Sequence, residues 1–438
     1  MRLIIDNLAK IKHADIVIDG ITVIAGENNT GKSTVGKILY SSFNSLCDID
    51  LKIEQERLKS IRNIIKRVLR NTLMNDSDSL GTNLSSRIPI NQISKDLTNQ
   101  LIQVEEQITK SLYESLFEGI VKKYHLDLQK EDIQEMVDDS YDKVFFLKDN
   151  KEYNIALELI GRYFLQVFGM QIQCLKEKEL SAEISLYIKD KKLSLQFKDN
   201  KCIKWSRDYN ILHEAFLIDD PFILDDLEGY YFPPLTTNEI RAQLVKRLRL
   251  SDNNLMDGIF DAVRAKETLE ELYEVLSKVT TGKVSEQKGQ WMLQSEYYVE
   301  PVRFENLSAG LKSFVLIKML LEKGILKEKD VLVLDEPEIH LHPEWQILYA
   351  EIIVLLQKLF DLSIVVTTHS RDFLEAIELN AKKYGLASKC NFYLSLAEAG
   401  VVTFENVTNK LDKIYRQLVS PSMLLDKLRY EIEMERNE

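Results

Sequence analysis

At 438 residues, with 45 % apolar side chains and a formal net charge of −12, the chain is long enough for two or three domains and can bury an ample core. The acidic balance excludes a protein whose whole surface coats nucleic acid, because phosphate contacts need clustered Lys and Arg, but it leaves room for a local basic groove. Met1 to Gly20 alternates apolar with charged residues, no run of eighteen apolar residues follows, and Cys47, Cys174, Cys202 and Cys390 stand far apart, so the expectation is a cytoplasmic protein with reduced thiols and no membrane span.

In chain order, Arg2 to Ile5, Asp15 to Ile18 and Ile21 to Ala25 read as three strands. They feed Gly26-Glu27-Asn28-Asn29-Thr30-Gly31-Lys32-Ser33, and Ser33 to Tyr40 reads as the start of a helix. Strand, glycine-bounded loop and helix is the context a P-loop requires. Its glycines let backbone N–H groups turn inward around a phosphate, Lys32 reaches the β and γ oxygens, and the Ser33 hydroxyl is offered to Mg²⁺. Asn28, Asn29, Thr30 and Thr34 complete the candidate phosphate cradle formed by Gly26, Gly31, Lys32 and Ser33. Residues 1–47 are assigned to the N-terminal part of this domain.

Residues 48–295 then separate the loop from the next motif by far more chain than a compact crossover needs. The segment begins as helix. Leu58, Ile61, Ile65, Val68 and Leu69 form one apolar stripe, and Leu97, Leu101, Val104, Ile108, Leu112, Leu116 and Ile120 form another. Neither stripe is sustained for enough heptads to make a long coiled coil, so a compact helical subdomain is expected. Lys59, Arg62, Lys66 and Arg70 recur at helical spacing; a solvated face, a DNA-facing surface and a protein-facing surface all remain open. Further on, Ile184 to Ile188 and Leu193 to Phe197 alternate across Lys189 to Lys192, the pattern of a β-hairpin that could join the sheet of the first domain. Asp219, Asp220, Asp225 and Asp226 surround Pro221 to Leu224, with Pro233-Pro234 beyond; an exposed turn accounts for them more simply than a metal site.

Residues 296–408 return to motif-bearing sequence. Asn306-Leu307-Ser308-Ala309-Gly310 precedes a helix-like pattern through Leu311, Phe314, Val315, Ile317, Leu320 and Leu321. Taken alone, Ser308-Ala309-Gly310 would be a helix N-cap. Val331 to Leu334 is a buried-strand run that delivers Asp335 and Glu336 at its C-terminal end, where ligands sit in α/β sheets. Asp335 is the candidate Mg²⁺ ligand beside Ser33, and Glu336 the candidate group that orients or deprotonates an attacking water. Pro337 to Pro343 includes His340 and His342, but with no cysteine or third histidine close by a loop-shaping or interface role is the simpler reading. Ile364 to Thr368 is a β-rich run ending at His369. Arg371 to Leu379 reads as helix, Asn391 to Leu396 and Gly400 to Phe404 as strands, and 409–438 as a charged helical tail.

Three phosphate-handling motifs in this order resemble those of ABC-class ATPases. Leu307-Ser308-Ala309-Gly310 looks like the ABC signature, with Ala309 where the family has a second glycine, and Ile364 to His369 resembles the switch that senses the γ-phosphate. The stretch from Asp335 to Pro343 is similar to ATPases of the RecF, SMC and OLD type, among them the stand-alone ATPases of bacterial anti-phage systems such as Septu and PARIS. The resemblance covers 1–47 and 296–408. It implies an α/β P-loop head with a mixed sheet, split by the long insertion, with ATP and Mg²⁺ as cofactors and Glu336 and His369 as catalytic residues. It also implies a homodimer or higher homo-oligomer in which Ser308, Ala309 and Gly310 contact the nucleotide of the opposite subunit, and the segment after Glu336 lies at the seam. The family's Q-loop glutamine has no confident counterpart; Gln196 and Gln243 are available without context. OLD nucleases continue into a further catalytic domain that this chain has no room for, so a nuclease or toxin partner is expected to be a separate protein. Two other readings stand beside this defence switch: a RecF- or SMC-like repair ATPase that clamps DNA, and a scaffold that holds ATP with little hydrolysis.

Overall fold

The computed structural model describes residues 1–75, 89–104, 108–177, 179–227, 239–250, 269–296 and 298–437. Pro233-Pro234 lie outside the described residues. The chain divides into two units, Met1–Cys47 with Ile160–Glu438, and Asp48–Leu159. Residues 160–295, expected as part of one insertion, are therefore not of a piece with 48–159. The strands between residues 182 and 218 are hydrogen-bonded into the sheet that begins at residue 2.

In the larger unit β1 (Arg2–Leu8), β2 (Ile11–Val17) and β3 (Ile21–Gly26) lead to α1 (Lys32–Leu46). The sheet also takes β4 (Ala182–Ile188), β5 (Lys191–Lys198), β6 (Lys201–Arg207), β7 (Ala215–Ile218), β11 (Val331–Asp335), β12 (Ser363–Thr368), β13 (Cys390–Glu398) and β14 (Val401–Asn406). A smaller three-stranded sheet is made of β8 (Lys283–Gln287), β9 (Gln290–Gln294) and β10 (Val302–Arg303). The large sheet has eleven strands in the order β6-β5-β4-β1-β2-β14-β13-β3-β12-β11-β7. It is antiparallel from β6 to β2, while β13, β3, β12, β11 and β7 run parallel. The hairpin read at 184–197 extends the antiparallel end, with Leu3 opposite Leu186.

Parallel strands are buried on both faces, and their composition shows why: β3, β11 and β12 are almost wholly Ile, Val, Leu, Ala and Thr. One face, through Ile21, Val23, Leu332, Leu334, Ile364 and Val366, joins a core with Phe314 and Ile317 of α8 (Ala309–Glu322) and Ile353 and Leu356 of α9 (Pro343–Phe360). The other receives α1, whose Gly36 comes so close to Val333 that an added Cβ would stand 2.7 Å from the Val333 Cγ1. Helix α10 (Arg371–Lys383) adds Phe373 and Ile377 to the first core. After β14 the tail forms α11 (Asp412–Asn437).

The smaller unit is built from α2 (Ile49–Asn75), α3 (Ile90–Gln103), α4 (Lys110–Lys123), α5 (Lys130–Asp149) and the start of α6 (Glu152–Phe168). The first apolar stripe supplies Ile61, Ile65, Val68 and Leu69 to its core, as its period requires. The second stripe is carried by two helices. Val104 leaves the helical region, and Thr109 caps a new helix by accepting a hydrogen bond from the Leu112 N–H. Helix α7 (Glu239–Leu250) belongs to the larger unit. No helix among the described residues is long and apolar enough to cross a membrane.

Candidate functional site

The C-terminal ends of β3, β11, β12 and β7 converge, and each delivers chemistry there. Beyond β3 the backbone turns on Gly26 (φ 155°), Asn29 (φ 66°) and Gly31 (φ 74°) before α1 begins. A Cβ on Gly26 would stand 2.2 Å from the Ser395 Oγ and 2.7 Å from the Ser395 carbonyl oxygen, so only glycine fits. The loop is fastened to β13 by the Thr30 and Ser395 hydroxyls, 2.6 Å apart, and the Thr30 hydroxyl also donates to the Glu27 carbonyl at 2.7 Å. Asn28 and Asn29 are exposed, Lys10 donates to the Asn29 side-chain oxygen, and Ser33 and Thr34 occupy the first turn of α1.

Lys32 is 4 % exposed, an unusual burial for an ammonium group. Its Nζ donates to the carbonyls of Gly26 (3.0 Å) and Glu27 (2.8 Å) and lies 3.4 Å from the Glu336 Oε1. A cation held over its own loop by carbonyls is placed to meet an anion bound by that loop.

Asp335 and Glu336 emerge where sequence placed them, at the end of β11. They are held by Thr367 of β12, a residue sequence reasoning did not single out. The Thr367 hydroxyl donates to the Asp335 Oδ1 and accepts from the Glu336 N–H at 3.0 Å, while the Thr367 carbonyl accepts from the same N–H at 3.1 Å. Glu336 has φ 49°, a left-handed backbone that costs about 1–3 kcal/mol for a non-glycine residue and that is characteristic of functional sites. The only sequence signal for Thr367 was its parallel register, opposite Asp335, which appears once β11 and β12 are known to be neighbours.

His369 completes the group. Its Nδ1 is 3.6 Å from the Glu336 Oε2 and 3.7 Å from the Glu338 Oε1. Glu338, at 2 % exposure, accepts from the Thr368 hydroxyl at 2.5 Å and the His369 N–H at 3.1 Å. Burial pushes its carboxyl above the ordinary range, and those hydrogen bonds oppose the push only in part.

Beside β11 the parallel strand β7 ends at Ile218, opposite Leu334, so Asp219 leaves the sheet next to Asp335. Three of the four aspartates read as a turn face basic side chains. Asp225 accepts from Lys312 of α8 at 2.6 and 2.8 Å, Asp220 meets Arg241 at 3.1 Å and Asp226 meets it at 3.7 Å. Both glutamines considered for the Q-loop have hydrogen-bond partners of their own. The Gln243 oxygen accepts from the hydroxyls of Tyr40 and Tyr163, and Gln196 donates to Ser181.

Ser308 is exposed and caps α8, accepting from the Leu311 N–H at 3.3 Å. Gly310 points inward instead: a Cβ there would stand 3.0 Å from the His340 carbonyl oxygen and 3.2 Å from the Trp345 ring. Within one chain, then, Gly310 packs against the segment after Glu336. His340 is exposed and stacks edge-on to Phe222, ring centres 5.5 Å apart, while His342 stands at the N-cap of α9.

The donor set suits a hard divalent cation. Ser33 and Asp335 offer only oxygen, and with the Asp335 Oδ1 engaged by Thr367 its Oδ2 is left for an ion. Bound there with a nucleotide, Mg²⁺ would neutralise charge on the β and γ phosphate oxygens.

Residues 1–374 match the model of a family described as AAA ATPase domain. Among solved structures the chain is similar to the SMC head domain from Thermotoga maritima, at 10 % identity and TM-score 0.36, covering 93 % of this chain and 98 % of that one. It is also similar to an Smc head bound to the C-winged helix domain of ScpA, at 12 % identity and TM-score 0.43, covering 92 % and 97 %. A third is an Smc head with an extended coiled coil bound to the C-terminal domain of ScpA, derived from Pyrococcus furiosus, at 11 % identity and TM-score 0.40, covering 98 % of each chain. No curated protein matches the chain. The family match and the mixed sheet together bear out the α/β ATPase-head class that the motifs implied.

Proposed function

The chain belongs to the AAA ATPase domain family, and from that premise we propose that it is a nucleotide-driven switch that hydrolyses ATP to ADP and phosphate and closes as a homodimer around Mg-ATP. The observation that carries this reading is the meeting of Lys32, Glu336 and His369 within 3.4 and 3.6 Å at the ends of three adjacent parallel strands. Lys32 binds and orients the terminal phosphates. Glu336 positions a water and accepts its proton as the water oxygen bonds to the γ-phosphorus and the bond to the bridging β–γ oxygen breaks. His369 lies beside Glu336, where it can donate to a γ-phosphate oxygen.

The second half of each site comes from another copy. Ser308, exposed at the N-terminus of α8, presents backbone N–H groups and the positive end of a helix dipole, a favourable setting for a phosphate brought by a partner subunit. Ala309, with its small side chain, keeps that approach free of bulk. In this reading the closed pair opens on hydrolysis and thereby controls a separate effector, a nuclease or toxin, in anti-phage defence.

The test is Ser308→Arg in the full chain. The substitution places a bulky cation where the partner's nucleotide would dock and leaves the P-loop untouched. The proposal requires that ATP-dependent association disappear and that turnover fall at least about 100-fold, while single-chain ATP binding persists. Association and turnover unchanged in a folded Ser308→Arg protein would rule it out.

A further inference from the structure

Glu338 lies three residues beyond Asp335, and its side chain has no part in the hydrolytic step described above. Its placement is unusual all the same. A carboxyl group at 2 % exposure with no Lys or Arg partner among the described residues is costly, and the fold meets that cost with donors from one short stretch of chain. The Glu338 Oε1 accepts from the Thr368 hydroxyl and from the His369 N–H, and the His369 Nδ1 stands 3.7 Å from the same oxygen. The Glu338 Oε2 is buried with no hydrogen-bond partner among the described residues.

The surroundings extend this grip. Gln346 of α9 donates to the Leu341 carbonyl at 3.2 Å and to the Glu338 carbonyl at 3.4 Å, and accepts from the Ser370 hydroxyl at 3.1 Å. The Ser370 N–H donates back to the Thr368 hydroxyl at 3.0 Å. Segment 337–343, expected at the dimer seam, is thus bound to the end of β12 at Thr368, His369 and Ser370. The ring of His369 is left between two carboxylates, Glu336 on the reacting side and Glu338 on the buried side.

We propose that Glu338 is a positioning residue that holds His369 against Glu336 and makes the seam segment and the γ-phosphate sensor move as one body. The proposal rests on the ATPase reading above. Glu338 touches neither the nucleotide nor the water, and it acts through His369. A shift of about an ångström in a catalytic group costs on the order of 100-fold in rate, so a buried clamp on the backbone of His369 is an effective place to set it.

The experiment is a mutant cycle on ATP turnover by the full chain with Mg²⁺, with melting temperature and ATP affinity followed in parallel. His369→Ala provides the reference loss in kcat. Glu338→Ala is expected to lower kcat by about tenfold or more with KM within about twofold, and the Glu338→Ala, His369→Ala double variant to be no slower than His369→Ala alone. Glu338→Gln keeps an oxygen that accepts from Thr368 and His369, and should recover most of the wild-type kcat. Thr368→Val, which removes one of the two donors and keeps the volume, should lower kcat in the same direction whether or not Glu338→Ala folds. Independent, multiplying effects of the two alanine variants would overturn the proposal, as would an unchanged kcat in Thr368→Val or a loss confined to KM. Absence of turnover in the wild type, or an unchanged kcat in His369→Ala, would instead overturn the ATPase reading and this proposal with it.

Discussion

Thr367 is the residue through which the acidic pair is held, and its substitution separates positioning from binding. Thr367→Val removes the donor to the Asp335 carboxylate and one acceptor for the Glu336 N–H while keeping side-chain volume. Hydrogen bonds to charged groups contribute about 1.5–3 kcal/mol, so kcat should fall roughly 10- to 100-fold, as read by steady-state ATP turnover. Lys32→Ala acts on the other side of the same site. It deletes the ammonium group that would face the phosphates and should weaken ATP binding in calorimetry, with a lower melting temperature as well, because the Gly26 and Glu27 carbonyls lose a buried donor. Gly26→Ala belongs to stability instead. Its Cβ would overlap Ser395 backbone and side chain, a cost of about 1–3 kcal/mol that thermal denaturation would show as a lower midpoint.

Among the elements, β11 and its neighbours were legible because Val331 to Leu334 and Ile364 to Val366 are uninterrupted apolar runs that end in polar residues with chemistry. Strand β7 was not, since Ala215 to Ile218 is four residues long and a run that short carries no period to distinguish strand from helix. Its neighbour relation to β11, which puts Asp219 beside Asp335, depends on a parallel pairing across more than a hundred residues that no local pattern encodes. The hairpin of β4 and β5 alternates apolar with polar residues and was readable, whereas β6, with Lys201, Lys204 and Arg207 among its seven residues, pairs at a sheet edge where charge is tolerated. The second helical stripe was divided because Thr109 as an N-cap outweighs the continuing period.

Also at this scale, Asp330 precedes β11 and ties it to the loop before β7. Its carboxyl accepts from the Lys327 N–H at 2.9 Å and the Glu214 N–H at 3.3 Å, with His213 at 3.6 Å. Burial holds its pKa above the ordinary 3.8 despite those bonds and the His213 ring. A raised folded-state pKa means that the native state binds the proton more tightly than the unfolded chain. The contribution is full below 3.8 and is lost as pH rises through the folded value. The melting-temperature difference between wild type and Asp330→Asn should therefore move against the wild type as pH is raised from about 4. A difference that grows in its favour would contradict the assignment.

For the whole molecule, the motifs carried the site further than they carried the boundaries. Lys32, Asp335, Glu336 and His369 lie far apart in sequence and meet in space because each ends a parallel strand or begins the helix after one. Spacing alone could not divide 48–295, because the compact helical unit closes at Leu159 and the chain then resumes the sheet of residues 1–47. The proposal leaves half of each site to a second copy, because Ser308 stands exposed at the N-terminus of α8 and caps its own helix. That incompleteness is why the account rests on association. The measurement that tests it most directly is particle mass together with ATP turnover for wild type and Glu336→Gln, each with and without Mg-ATP. The account predicts that Glu336→Gln abolishes turnover and accumulates an ATP-dependent dimer or larger assembly that the wild type forms only transiently. Mass and turnover indifferent to both nucleotide and substitution would contradict it, and would leave ATP at most a structural ligand of this fold.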